Sequence, residues 1–287
     1  MSAGRSWRER FDALCERKTR AAEEAALAPS VTLLDRASTF DLVSIGDAAS
    51  RRMFDGPFYA TRPRADLPAI HLVFVRSRAG NTGAGDPATL GGGATDQHLI
   101  YEGLSRVFVD AVVAGSSTVG PGTFFSIWRP ELARLRAALG LPRHPAQIVL
   151  SLACTMDPDR YVMFNVPEVP VYVLTNADGR ARLAPRVSDR PWVRIVDADG
   201  PDALAQQAMR LRAAGLRHLS AVGGRRAATA LADAGLVRDL YLTTTAIDAG
   251  EADTPWYVGS APLAMQEVVR KQWESDAGPV TFQHFTI

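Results

Sequence analysis

Lysine is almost missing from this 287-residue chain: Lys18 and Lys271 are its only two, and arginine supplies the rest of the positive charge. A net charge of +1 excludes a general pull toward nucleic acid or an acidic membrane. Cysteine is as scarce, with Cys15 and Cys154 far apart and no C-x-x-C, which excludes a disulfide framework and predicts free thiols in a reducing compartment. No apolar run reaches the roughly 18 residues that a membrane helix needs. The opening "SAGRSWRERFDALCERKTR" is charged where a signal peptide would be apolar. The expectation is a cytoplasmic protein with no nucleic-acid or membrane partner.

What is present is ordinary globular composition, 47% hydrophobic and 22% charged, in a length that buries a substantial core. Residues 6–27 predict a helix, because Ser6 and Glu9 form a capping box and Trp7, Phe11 and Leu14 share a face. Pro29 ends it. Packing on its own domain is preferred to a role as a dimer contact. Residues 30–66 read as an irregular arm, so residues 1–66 form an extension and residues 67–287 the main domain. From there, apolar strands at 69–75, 110–115, 146–153, 169–175 and 192–198 alternate with helical segments. One of these follows a cap at Thr95 or Asp96; others span 131–139 and 201–214. Such alternation predicts βαβ units and a mainly parallel sheet. "DLYLTTTAI", "AMQEVVRKQW" and "PVTFQHFTI" lack helical breaks and predict antiparallel strands at the C-terminal end.

Several kinds of site are excluded by missing residues. Gly115 and Gly120 have P-loop spacing, but Pro121-Gly122 stand where Lys-Ser/Thr would be. No G-x-G-x-x-G follows the first strand, and no G-x-S-x-G occurs. The five histidines, at 71, 98, 144, 218 and 284, are isolated, so no metal site is expected. In open parallel sheets, ligands bind beyond the carboxyl ends of the strands. The segments there are 76–95, 115–122, 151–158 and 223–226, all rich in Gly, Ser, Thr or Arg. In "HLSAVGGRRAATALADAGLVRDLYL" (218–242), two glycines and two arginines stand between a strand and a helix. A helix start exposes N–H groups and a positive dipole end, and glycine admits a close backbone approach. The plainer reading is a turn followed by solvated arginines.

The block "AVGGRRAATALADAGLVRDLYLTTTAI" resembles the Gly-Gly, helix and strand of the pyrimidine reductase domain of bacterial riboflavin biosynthesis. "LSRVFVDAVVAGSSTV" (104–119) and "HLVFVRSRAGNTG" (71–83) resemble two further blocks of that family, and the order is kept from residue 67 to 287. The resemblance implies an α/β, dihydrofolate reductase-like three-layer sandwich with a mostly parallel central sheet and antiparallel C-terminal strands. It implies NADPH as cofactor, hydride transfer to a ribosylaminopyrimidine phosphate, and a homodimer. By position, Gly115, Thr118, Ser151, Gly223, Gly224 and Arg225 would serve the cofactor, and Ser77, Gly80, Thr82 and Arg106 the substrate. Arg106 reads equally as a helix-surface residue. No catalytic residue is assigned.

The chain also departs from that family. Ala79 stands where the turn has Asp, and Val222 where Glu commonly precedes the glycines. Two carboxylates that would read out a substrate are thus lost, which implies a modified heterocyclic, carbonyl or imine substrate. No H-x-E or P-C-x-x-C occurs, so no zinc deaminase activity is expected. Two other readings stay open: a reductase-like protein that binds a nucleotide or pterin without turnover, and, more weakly, dihydrofolate reductase. Against the latter, no acidic residue stands out as placed to protonate a pteridine.

Overall fold

The computed structural model describes residues 6–259 and 261–287. Strands β4 (Ala69–Arg76), β5 (Ala111–Gly115), β6 (Ala146–Leu150), β7 (Val171–Thr175), β8 (Val193–Asp197), β9 (His218–Val222) and β10 (Val237–Thr244) pair in parallel, in the order β10-β4-β9-β5-β6-β7-β8. Antiparallel strands continue the sheet on the β10 side: β12 (Gly278–Thr286), β11 (Gln266–Ser275) and, outermost, β1 (Val31–Asp35). Ten strands thus form one sheet, parallel from β10 to the β8 edge, as the sequence predicts, and antiparallel beyond β10, where the predicted C-terminal strands β11 and β12 are joined by β1, which the sequence reading did not expect.

The parallel strands read as nearly continuous apolar runs because both faces are covered. Alternate residues serve opposite layers: Val112 and Ala114 face one core, and Ala111 and Val113 the other. Helices α6 (Ala203–Ala213) and α7 (Arg225–Asp233) cover the second face with Ala208, Leu211, Ala228 and Leu231. On the first face lie α1 (Trp7–Glu24), α4 (Pro130–Ala138), α5 (Ala177–Leu183) and a helical stretch over 95–107. This is the expected three-layer sandwich.

Helix α1 is docked. Ser6 and Glu9 close the capping box, and the helix ends at Glu24, before Pro29. Phe11 meets Phe124 edge-on at 4.8 Å, and Phe11 and Leu14 are buried. Arg129 donates to the carbonyls of Ala22 and Ala25, at 2.8 and 3.4 Å, which supplies the C-terminal cation that the helix itself lacks. In folded proteins most of a helix's stability comes from packing its apolar face rather than from propensity. Burying the two side chains contributes on the order of 4 kcal/mol, so tertiary contact holds α1 in place.

The arm is not irregular, and here the sequence expectation fails. Residues 30–66 contain β1 and an antiparallel hairpin of β2 (Leu42–Ile45) and β3 (Phe58–Thr61), joined through α2 (Ala48–Met53), which starts on an Asp47 capping box. These strands are four or five residues long and draw their stability from distant partners. Strand β1 pairs with β11, and Thr61 donates through its backbone and hydroxyl to the buried Asp239. No local pattern could announce them.

The stretch over 95–107 is also unlike the α-helix expected. It is π-helical over Thr95–Leu104 and continues as one α turn, α3 (Ser105–Val107), with a break at Gly103 (φ −125°, ψ −110°). A Cβ at Gly103 would lie 2.7 Å from the His98 carbonyl oxygen and from Leu132, so only glycine fits. The Ser105 hydroxyl lies 2.8 Å from the Ile100 carbonyl and 3.0 Å from that of Tyr101. It answers acceptors that the widened helix leaves short of donors.

Candidate active site

A cleft of about 1010 Å³ lies beyond the carboxyl ends of β4 and β9, walled by the 82–93 loop, the 95–107 helix, the 117–125 loop, the start of α7 and one side of α1. It is where an open parallel sheet places a ligand.

At the α7 wall, Gly223 (φ 75°) and Gly224 (φ 82°) are consecutive left-handed residues, and Gly224 is the N-cap. A Cβ on Gly223 would lie 3.0 Å from Thr118 Cγ2, and one on Gly224 3.2 Å from Thr118 Oγ1. Both the backbone conformation and the closeness of Thr118 therefore require glycine. No side chain caps α7, which leaves its first N–H groups open to a ligand. Arg225 and Arg226 also line the cleft; cations at a helix start are unfavourable unless an anion joins them.

The 82–93 loop is pinned. Thr82 donates through both its backbone N–H and its hydroxyl to the Thr254 carbonyl, at 2.7 and 2.8 Å. The Glu251 N–H donates to Gly83. Leu90 is fully buried, and its carbonyl accepts from the Thr245 hydroxyl at 2.6 Å. Glycine here serves tight packing against the 245–254 segment.

The 95–107 helix supplies the most polar wall. Asp96, Tyr101 and Arg106 all line the cleft; Asp96 and Tyr101 are one i→i+5 step apart in the π-helix, and Arg106 lies in the α turn beyond the break at Gly103. Arg106 is 1% exposed, so the helix-surface alternative is wrong. Its guanidinium lies 4.6 Å from the Tyr101 ring centre and 5.4 Å from that of Phe125, and donates to the Ser126 carbonyl at 3.0 Å. Its Nε has no partner. Asp96 is buried and accepts from the Thr243 hydroxyl. Burial pushes its carboxyl up to about 6, against the opposing hydrogen bond from Thr243. Beside it, Glu102 pairs with Lys18 of α1 at 3.0 Å.

Of the ten residues assigned from sequence, Thr82, Arg106, Thr118, Gly223, Gly224 and Arg225 line the cleft. The other four do not. Ser77 is fully buried and its hydroxyl closes a turn with the Asn81 N–H. Gly80 (φ 89°) belongs to that same turn. Gly115 lies beneath α7, where a Cβ would meet Ala227 at 3.5 Å. The Ser151 hydroxyl accepts from the Cys154 N–H. Ala79 is exposed on the turn and Val222 is fully buried in the core. The sequence reading missed Asp96, taken for a helix cap, and with it the acidic residue it found lacking; it also missed Lys18 and Glu102. Among the described residues no group of acidic, histidine or cysteine side chains could hold a metal ion, and no helix is long and apolar enough to cross a membrane.

No family model and no curated protein matches the sequence. Solved structures do match. A pyrimidine reductase-like protein of Corynebacterium diphtheriae superposes with a TM-score of 0.58 at 19% identity, over 77% of this chain and 92% of that one. The deaminase/5-amino-6-(5-phosphoribosylamino)uracil reductase of Thermotoga maritima does so with 0.55 at 16%, again over 77% of this chain but only 56% of that one. A riboflavin biosynthesis reductase of Saccharomyces cerevisiae gives 0.51 at 16%, over 77% and 91%. The chain has the fold of these reductases.

Proposed function

We propose that the protein is an NADPH-dependent reductase that delivers hydride to a ribosylaminopyrimidine or a related heterocyclic imine or carbonyl carbon. The observation that carries this reading is the paired left-handed glycines at the open start of α7, facing a 1010 Å³ cleft in a sheet with the reductase fold. The residues fit the cofactor. A Cβ at either glycine would crowd Thr118, the first α7 N–H groups are uncapped, and an anion bound there would offset the cost of Arg225 and Arg226 at a helix start.

When bound, the nicotinamide supplies the hydride; the chain's own residues position, exclude water and manage one proton. Hydride addition to a C=N or C=O carbon leaves the neighbouring heteroatom needing a proton. Asp96, whose carboxyl titrates at about 6, is the acid in the cleft suited to hold it near neutral pH. Tyr101 and Phe125, stacked on Arg106, give a flat, water-poor wall for a heterocycle. A second reading, reduction of a pteridine, gains from the same Asp96, since the lack of an acid was one of two arguments against it; the other, an N-terminal arm foreign to dihydrofolate reductase, stands.

The test is direct. NADPH and NADH are titrated by calorimetry, and NADPH oxidation is followed with a ribosylaminopyrimidine phosphate and, separately, with dihydrofolate. Micromolar NADPH binding with turnover of the first compound supports the proposal, and turnover of dihydrofolate alone supports the second reading. Binding of neither nucleotide refutes both. NADPH binding without oxidation by any acceptor points to a binding protein.

A further inference from the structure

We propose that α1 is part of the substrate site and that Lys18 selects there for a substrate carrying an anionic oxygen group, phosphate or carboxylate. The inference rests on the reductase reading and deepens it. The sequence resemblance to reductases begins at residue 67, and the likeness to the solved reductases leaves part of the chain uncovered, spanning 77% of it. Yet Leu14 and Lys18 of α1 line the same cleft as Thr118 and Gly224. A segment outside the resembling part therefore builds one of its walls.

The placement is fixed by several contacts. Arg129 holds the α1 carbonyls of Ala22 and Ala25, the Thr95 hydroxyl accepts from the Ala28 N–H at 2.8 Å, and Phe11 is buried against Phe124. Thr95 directly precedes Asp96, so docking of α1 is tied to the helix that carries the polar wall.

The charges on that wall are unequal. Glu102 is matched by Lys18 at 3.0 Å and faces His98 at 3.7 Å. Arg106, 1% exposed, is hydrogen-bonded to a carbonyl and stacked on aromatic rings, with no carboxylate bonded to it and its Nε unpartnered. A buried cation without an anion is costly, and an anionic ligand group relieves that cost. Lys18 has three N–H donors. One goes to Glu102, and its side chain is 34% exposed, which leaves donors for a ligand. Lys18 and Arg106 both line the cleft, on α1 and on the 95–107 helix, apart from Arg225 and Arg226 at α7. A neutral substrate brings no counter-charge to Arg106.

The experiment uses the full chain. Ribose 5-phosphate, ribonate and ribose are titrated into the wild type, Lys18→Gln and Lys18→Arg by calorimetry; NADPH is titrated into the same three proteins, and thermal melts confirm folding. The expected result is that one or both anionic sugars bind at least tenfold more tightly than ribose. That preference falls about tenfold in Lys18→Gln, because a charge-assisted hydrogen bond is lost. It is retained within about threefold in Lys18→Arg, while NADPH binding stays the same throughout. Which anion is preferred tells phosphate from carboxylate. The proposal is overturned if neither anion is preferred over ribose, if Lys18→Gln keeps the wild-type preference, or if it loses NADPH and sugars together, which makes Lys18 a structural residue. Sugar discrimination without NADPH binding keeps the anion site and removes the reductase reading; NADPH binding without discrimination does the reverse.

Discussion

Replacing Asp96 with Asn separates its electrostatic cost from its packing. The carboxyl is buried, accepts from Thr243, and is raised by desolvation from 3.8 to about 6. A carboxyl whose folded pKa exceeds its unfolded value favours folding while it is protonated. That contribution is fully present below pH 3.8 and is lost as pH rises through about 6. At about 1.4 kcal/mol for each pH unit between those two values, the effect is at most about 3 kcal/mol. Asparagine keeps the shape and can still accept from the Thr243 hydroxyl, but it does not ionise. Asp96→Asn is therefore expected to gain on the wild type by up to about 3 kcal/mol between about pH 4 and pH 8, most steeply around pH 5, midway between the two pKa values, and levelling off above about pH 7. Urea unfolding of both proteins at half-unit pH steps reads the difference directly. A stability difference that is flat across that range would falsify the argument, since Asp96 would then titrate alike in the folded and unfolded chain. If Asp96 also holds the proton for the proposed reduction, the variant gains stability and loses turnover together.

Gly223→Ala is expected to cost about 1–2 kcal/mol, from a left-handed alanine and from crowding by Thr118 Cγ2. Adding Thr118→Ser removes that methyl group and should recover part of the loss in the urea midpoint; no recovery means that Thr118 is not the obstacle. Gly103→Ala, with its Cβ 2.7 Å from a backbone carbonyl, should destabilise by about 2 kcal/mol or more, and a Tm within a degree of wild type rules out the kinked π-helix. Arg136, 1% exposed, donates to the carbonyls of Arg106, Val107, Val109 and Pro142. Arg136→Met should cost about 3 kcal/mol or more by leaving those acceptors without a donor, and a loss under about 1 kcal/mol in urea unfolding would contradict the bonding seen.

The sheet was legible because each parallel strand carries its own signal. "AIHLVFV" and "AQIVL" are apolar runs between turn residues, and being covered on both faces is what makes them so. The α7 wall was legible for a similar reason, since only glycine accepts the conformation at residues 223 and 224. The polar wall was hidden. Reading the 95–107 segment at about 3.6 residues per turn separates Asp96 from Tyr101 around a helix, whereas the π-helical spacing brings them together and Arg106 follows after the break at Gly103. The contacts that accompany it, the room at Gly103 that a Cβ would fill against Leu132 and the Ser105 hydroxyl on the Ile100 carbonyl, exist only once the chain has folded. Ser77 and Ser151 were misplaced because a serine that closes a turn and one that faces a ligand look alike in sequence. Lys18 was out of reach, standing 84 residues before its partner Glu102.

Strand β1 is laid down early in the sequence but finds its place in the sheet only against β11, where Val31 sits opposite Gln272. During synthesis, at about 5–20 residues per second, this first strand waits tens of seconds for its neighbour. A short link joins it to α1, so the cleft's outer wall is tethered to a strand whose partner comes far later in the chain. A chain cut short before residue 266 would keep most of the parallel sheet and the α7 glycines, yet leave β1 unpaired. The outer edge of the sheet thus rests on a pairing between residues 31 and 272, a long-range contact of the kind that forms slowly.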